Sequence, residues 1–402
     1  MTNVISLPRS ASSDKKIGLV LQGGGALGSY QAGVFQALTG AQYVPDWVAG
    51  ISIGAINAAI IAGNAPGQRA QQLRNFWEKI TATTTLWPCT VDGGMAAWQH
   101  RASALSTVMF GLPGFFMPRP ASQWFSSDQC VSFYDTSALR LTLERLIDFD
   151  RINQAKEMRF SVGAVNVRTG QSCYFDSAEI TIRPEHVMAS AALPPGFPPV
   201  EIEGEQYWDG GLFSNTPLQY MVDYYPRRSR LIFQVDLFPA HGYLPINFDQ
   251  VSEREKDLRY SSRTRVSTDA LRERHDVRHA INELHKLLPP EIASTEQAQR
   301  LYAHGCVTQM DIVQLIYRPH QPLGGLKDFE FSRATMSERW LQGEADASTT
   351  LAASPWLAPM PSDLGVRVFD VLHDLLMDGL SPQRAPDGAD PLVNLTGTDS
   401  AQ

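Results

Sequence analysis

"GLVLQGGGALGSY", residues 18–30, runs from an apolar stretch into three consecutive glycines, with a fourth three residues later. A strand that ends in glycines and opens a helix directs several backbone N–H groups, and the positive end of the helix dipole, at one spot. That spot suits an anion. Two chemistries fit it: Gly23-x-Gly25-x-x-Gly28 has the spacing of a dinucleotide-binding turn, and the same geometry can serve as an oxyanion hole in acyl transfer.

The rest of the chain narrows the choice. Its 402 residues, 43% of them hydrophobic, suffice for a well-buried core. A formal charge of −8 argues against broad nucleic-acid binding, which needs a basic surplus. The four cysteines (Cys89, Cys130, Cys173 and Cys306) are far apart and form no C-x-x-C pair, so neither a zinc site nor a disulfide framework is expected. The opening "MTNVISLPRSASSDKK" lacks an apolar signal core, and no run of about 18 apolar residues occurs. The expectation is a cytoplasmic protein without a transmembrane helix.

Along the chain, residues 1–15 read as a flexible leader and 16–240 as an α/β domain. Ile17–Leu21 is a short apolar run, as a parallel strand buried on both faces should be. Trp47–Ala49 is a second strand, leading through "GISIGA" into an Ala/Ile-rich helix. Residues 84–135 lose periodicity and look like an inserted lid. "RFSVGAVNVRTGQSCYFDS" reads as two strands joined by a turn, and "RLIFQVDLF" as a further strand. The α/β pattern is expected to end near 240, followed by a helical extension over 241–380 and a disordered tail over 381–402. Residues 252–286 carry nine Lys/Arg against seven Asp/Glu, an amphipathic helix.

"GISIG", Gly50 to Gly54, matches G-x-S-x-G and places Ser52 on a sharp strand-to-helix turn, with glycine neighbours that let a carbonyl approach Oγ. A serine hydroxyl needs a base. None of the nine histidines sits in a glycine-flanked loop after a strand, and His186 reads as a capping or surface residue. Asp209 does sit so: "YWDGG" follows an apolar stretch, and two glycines leave the carboxylate in an open turn. Asp92 in "CTVDGGM" lacks a preceding strand. A Ser52–Asp209 dyad is therefore the expected catalytic pair.

Taken in order, Gly23-Gly24-Gly25-x-x-Gly28, Gly50-x-Ser52-x-Gly54 and Asp209-Gly210-Gly211 resemble the patatin-like phospholipase family over about residues 17–240. "DGGLFSNTPL" also resembles that family's D-G-G-x-x-x-N-x-P stretch, through Asn215 and Pro217. The 241–380 extension is similar to one in a bacterial branch of the family. The resemblance implies a three-layer α/β/α sandwich with a mostly parallel central sheet. It further implies that Ser52 attacks an acyl ester, that Asp209 is the only side-chain base, and that Gly24 and Gly25 supply oxyanion N–H donors, with the Ile53 amide as a third. Leu27 departs from the Arg or Lys that many relatives carry there, leaving anion binding to the backbone. No cofactor or metal is implied.

An aspartate starts about 3.5 kcal/mol behind a histidine as a base at equal geometry. Burial beside Tyr207 and Trp208 is expected to recover part of this by raising its pKa. The dinucleotide reading fails on position: Asp46, the ribose-binding candidate, precedes Trp47–Ala49 and lies about 10 Å from the strand's carboxyl end, at roughly 3.3 Å per residue. His275 and His279 in "HDVRH" are one helical turn apart among arginines that repel a cation, so a solvated charged face is expected there. The expected partner is a lipid ester, with lipid-surface contact through residues 105–120, where large apolar residues meet helix breakers. Acyl transfer through the same dyad and a non-enzymatic lipid-surface protein are the competing functions.

Overall fold

The computed structural model describes residues 15–81, 94–126, 130–154, 157–361 and 364–380. The expected leader (residues 1–14), the tail (381–402), Cys89 and Asp92 lie outside the described residues. A nine-stranded sheet organises the rest. Its strands are β1 (Lys16–Leu21), β2 (Trp47–Gly50), β3 (Arg159–Asn166), β4 (Ser172–Asp176), β5 (Val200–Ile202), β6 (Glu205–Asp209), β7 (Arg230–Asp236), β8 (Met310–Ile316) and β9 (Val366–Phe369). They lie in the order β9-β8-β7-β1-β2-β3-β6-β5, with β4 also paired to β3. From β9 to β3 all neighbours are parallel, and β4, β5 and β6 pair antiparallel.

Side chains alternate between two cores, as a period of two requires. Leu19, Leu21, Val48, Phe233, Val235, Val313 and Leu315 enter the larger core. It is covered by α1 (Ser29–Gly40), α2 (Ile53–Ala62) and α6 (Arg333–Ala353). Val20, Trp47, Ala49, Ile232, Met310 and Ile312 enter the other, with Leu271 from α5 (Phe248–Lys286) and Leu218, Met221 and Val222 from the helix over Leu218–Asp223. This is the three-layer α/β/α arrangement. Two further helices matter below: α3 (Gly94–Phe110) and α4 (Pro184–Ser190), with α7 (Val371–Leu380) closing the described chain.

The structure differs from the sequence expectation in three places. The sheet does not stop near residue 240: β8 and β9 extend it from within the helical extension, and the apolar segment 365–380 is a strand followed by a helix. The inserted region is not irregular throughout, since α3 spans Gly94–Phe110 and Met117–Pro118 pairs with Tyr134–Asp135. His275 and His279 are buried instead of solvated, because their face of α5 packs under Gly365 while Arg274 and Arg278 turn to Asp223. Among the described residues no group of three or more His, Cys, Asp or Glu is placed to hold a metal.

The helical region is also locked to the first helix of the fold. α1 and α6 cross with backbones in near contact: a Cβ on Gly33 would overlap the Trp340 carbonyl, and one on Gly343 the Tyr30 carbonyl. Tyr30 Oη donates to Asp346 at 2.8 Å and Trp340 Nε1 to Gln36 at 3.1 Å across the same crossing. Gly343→Val is expected to lower stability to thermal or denaturant unfolding by at least about 1–3 kcal/mol, the usual cost of overpacking. Gly67→Val, where an added Cβ meets nothing within 4 Å, is expected to stay within about 0.5 kcal/mol of the parent in the same assay.

Candidate functional site

Two strands meet end to end on one edge of β3. Residues 161–165 of β3 pair with β4 on one edge. The opposite edge is used twice, by β2 as far as Gly50↔Val162 and by β6 from Ala164↔Asp209 onward. β2 runs parallel to β3 and β6 antiparallel, so their carboxyl ends converge. Ser52, two residues past the end of β2, and Asp209, the last residue of β6, are brought together there.

Ser52 sits at φ 56°, ψ −124°, a conformation rare for any side-chain-bearing residue, between β2 and α2. The turn is possible because neither Gly50 nor Gly54 has room for a Cβ: one on Gly50 would overlap the Gly54 carbonyl, and one on Gly54 the Leu21 carbonyl. The Ser52 amide donates to the Ser190 carbonyl at 3.0 Å and to Ser190 Oγ at 3.2 Å, while the Asp209 amide donates to the Ala192 carbonyl at 3.0 Å. The end of α4 therefore holds both residues. Gly210 packs on the Gly163 carbonyl, and Gly28 on Ile53 and Trp77, so these motif glycines serve close backbone approach and not the cleft itself.

Asp209 is 1% exposed. Its Oδ1 accepts from the Gly211 amide at 2.7 Å, and Oδ2 has no partner at hydrogen-bond geometry among the described residues. Burial pushes the carboxyl up to about 7, against the opposing pull of the nearby Ser52 hydroxyl and the Gly211 amide. Trp208, its chain neighbour, faces the other side of the sheet. The cleft over Asp209 is instead walled by Ala191, Leu193 and Phe197.

Gly23, Gly24 and Gly25 line the same cleft as Ser52, Ile53, Asp209 and Gly211. The amides of Gly24 and Gly25 donate to no group among the described residues, and that of Ile53 opens α2, where no intrahelical acceptor exists. These three N–H groups therefore keep their hydrogen-bonding capacity free at the cleft. Asn215 clamps the loop: its Nδ2 donates to the Gly23 carbonyl at 2.9 Å and its carbonyl accepts from the Gly23 amide at 3.2 Å. Leu27 is fully buried and adds nothing to the cleft.

The other sequence candidates go elsewhere. His186 Nδ1 accepts from the Arg183 amide at 2.9 Å, capping α4, and burial lowers its pKa to about 4. Asp46 accepts from the Ile17 amide at 2.7 Å and pairs with Arg230 at 2.9 Å, at the amino end of the sheet. Sequence reasoning missed the second wall of the cleft: Phe238, Tyr260, Asp328, Phe329 and Phe331 come from beyond β7. No local motif marks them.

The family described as patatin-like phospholipase matches residues 19–222, and one described as patatin phospholipase matches residues 258–363. The chain belongs to the patatin-like phospholipase family. That membership supports an ester-hydrolysing, lipid-directed enzyme. No curated protein matches the sequence. Among solved structures, VipD from Legionella pneumophila is similar at TM-score 0.41 and 14% identity, over 92% of this chain and 74% of that one. The type III effector ExoU, from Pseudomonas aeruginosa, gives TM-score 0.29 and 14% identity over 84% and 53%. Human GIVD cytosolic phospholipase A2 in complex with a fluorophosphonate inhibitor gives TM-score 0.27 and 13% identity over 55% and 40%. The chain thus spans about half of ExoU and two fifths of the human protein.

A carboxyl whose pKa is raised by folding costs stability once pH exceeds its ordinary value of about 3.8, and the full cost is reached above pH 7. Asp209→Asn in this patatin-like fold is therefore expected to raise Tm at pH 8 by at least about 2 °C. At pH 5, where the folded carboxyl is protonated, the gain should shrink; scanning calorimetry at both pH values measures it.

Proposed function

We propose that the protein hydrolyses carboxylic esters of lipids through an acyl-serine intermediate. The convergence of Ser52 and a buried, pKa-raised Asp209 at the ends of β2 and β6 carries this reading. Ser52 Oγ attacks the ester carbonyl and gives its proton to Asp209. The carbonyl oxygen becomes an oxyanion held by the Gly24, Gly25 and Ile53 amides. Collapse breaks the bond to the alcohol oxygen, which takes the proton from Asp209. Water then attacks the acyl-serine, again giving a proton to Asp209, and Ser52 recovers it as the acid leaves. A carboxylate near pKa 7 is better matched to this shuttle than one near 4, because the ideal base titrates close to the working pH.

Fluorophosphonate labelling is expected for the parent and absent in Ser52→Ala; labelling that survives the substitution would assign the nucleophile elsewhere. Ester turnover by the parent should rise about tenfold per pH unit below pH 7 and level off above it. Asp209→Asn should lose at least about 10³-fold in kcat/KM, in the range typical of a lost general base.

The exposed side of residues 105–120 fits peripheral contact with a lipid surface. Leu105, Met109, Phe110 and Met117 project outward, while Leu112, Phe115 and Phe116 are buried beneath them. No helix among the described residues is long and apolar enough to cross a membrane. Met109→Ser/Phe110→Ser should reduce co-sedimentation with phosphatidylcholine/phosphatidylglycerol vesicles by at least about tenfold, a part of the apolar transfer of about 1.5–3 kcal/mol that each side chain would contribute if fully buried in lipid.

A further inference from the structure

The cleft at Ser52 holds ≈ 90 Å³, where ligand pockets usually offer roughly 300–1,000 Å³. Part of its wall comes from the segment from Leu323 to Phe331, through Asp328, Phe329 and Phe331. The Asp328 carbonyl lies where a Cβ of Gly25 would be, and Phe329 and Phe331 form the cleft wall. Phe331 is 2% exposed and meets Phe115, another residue of the cleft lining, edge-on with ring centroids 6.5 Å apart.

This segment is held from beneath by α5. Glu253 accepts from the Leu323 and Gly324 amides at 3.2 and 2.8 Å, and Asp249 from the Gly325 amide at 3.1 Å. Lys327, without exposed side-chain surface, extends between Glu253 and Asp257 and lies 5.7 Å from the Phe238 ring centroid. Lys256 bonds the Gly325 carbonyl at 2.8 Å and Asp328 at 2.6 Å. A buried ammonium between two carboxylates has one good geometry, and losing either side strands a charge, so the segment is pinned over the cleft.

We infer that residues 323–331, pinned to α5 through Lys327, are the acyl-chain selector of this enzyme: Phe329 and Phe331 exclude long acyl groups from the cleft. The inference rests on the hydrolase reading above for its substrate class. It gives the C-terminal region a role in specificity, distinct from the chemistry at Ser52.

The test compares p-nitrophenyl butyrate with p-nitrophenyl laurate, both as monomers in solution. The parent should favour butyrate in kcat/KM by at least about tenfold. Phe331→Ala, Phe329→Ala and the uncharged set Lys327→Met/Glu253→Gln/Asp257→Asn should each raise the laurate-to-butyrate ratio by about tenfold or more. Phe331→Leu is the milder substitution should Phe331→Ala fail to fold. In parallel, a fluorescent long-chain fatty acid is titrated into Ser52→Ala and Ser52→Ala/Phe331→Ala, where tighter binding to the second is expected. A parent that prefers laurate, or ratios and fatty-acid binding that stay unchanged in the Phe331 variants, overturns the selector. A parent that hydrolyses neither ester while the binding shift is present overturns the hydrolase reading and leaves the selector standing.

Discussion

Everything at the site depends on one sharing of hydrogen-bonding capacity: a single edge of β3 serves two strands that run toward each other and stop before colliding. β2 uses the edge as far as Val162 and β6 from Ala164 onward. Each strand must end there, and each ends in glycine-flanked residues that can turn away sharply. Two groups 157 positions apart in sequence are thereby fixed by backbone hydrogen bonds to the central sheet. Catalytic groups set on strand ends hold their geometry better than groups on free loops.

The same convergence gives the carboxylate its character. A strand end enclosed by the terminus of α4 and by the turn at Ser52 leaves Asp209 almost without water, with the Gly211 amide donating to its Oδ1. Desolvation then outweighs hydrogen bonding and lifts the pKa. The buried Asp176 at the other end of the sheet makes the contrast. It accepts from Arg159, Ser161, Tyr220 and the Ala178 amide together, so its charge is fully compensated. One carboxylate is held by several donors, and the other is buried with few.

The legible parts of the sequence were those governed by local backbone demands. The glycines after β1, the Ser52 turn and Asp209-Gly210-Gly211 are visible because tight turns restrict residue choice within a few positions. β8 was harder to see. Asp311 interrupts its apolar run, and only the fold supplies the Lys15 and Arg367 that neutralise it. β9, four residues long, merges in sequence with the apolar helix that follows, because a short apolar run fits both periods. The burial of His275 and His279 was hidden by the neighbouring Arg274 and Arg278, which the fold turns to Asp223. The Phe329–Phe331 wall left no local trace, since a side chain that borders a cleft from a distant segment obeys no pattern but hydrophobicity.

The order of strands has a consequence for synthesis on the ribosome. β1, β2 and β3 can pair as soon as residue 166 has emerged, but β7, which flanks β1, acquires its outer neighbour only with β8, and β8 with β9. A nascent chain that has reached residue 236 carries the Ser52–Asp209 convergence beside an unpaired, apolar strand edge, a surface prone to joining other chains. The segment that forms part of the cleft wall, α6 on α1 and the last two strands all arrive afterwards. Closure of the sheet edge and closure of the cleft are therefore late events in the same stretch of translation, and the growing polypeptide is most exposed to misassembly just before both are complete.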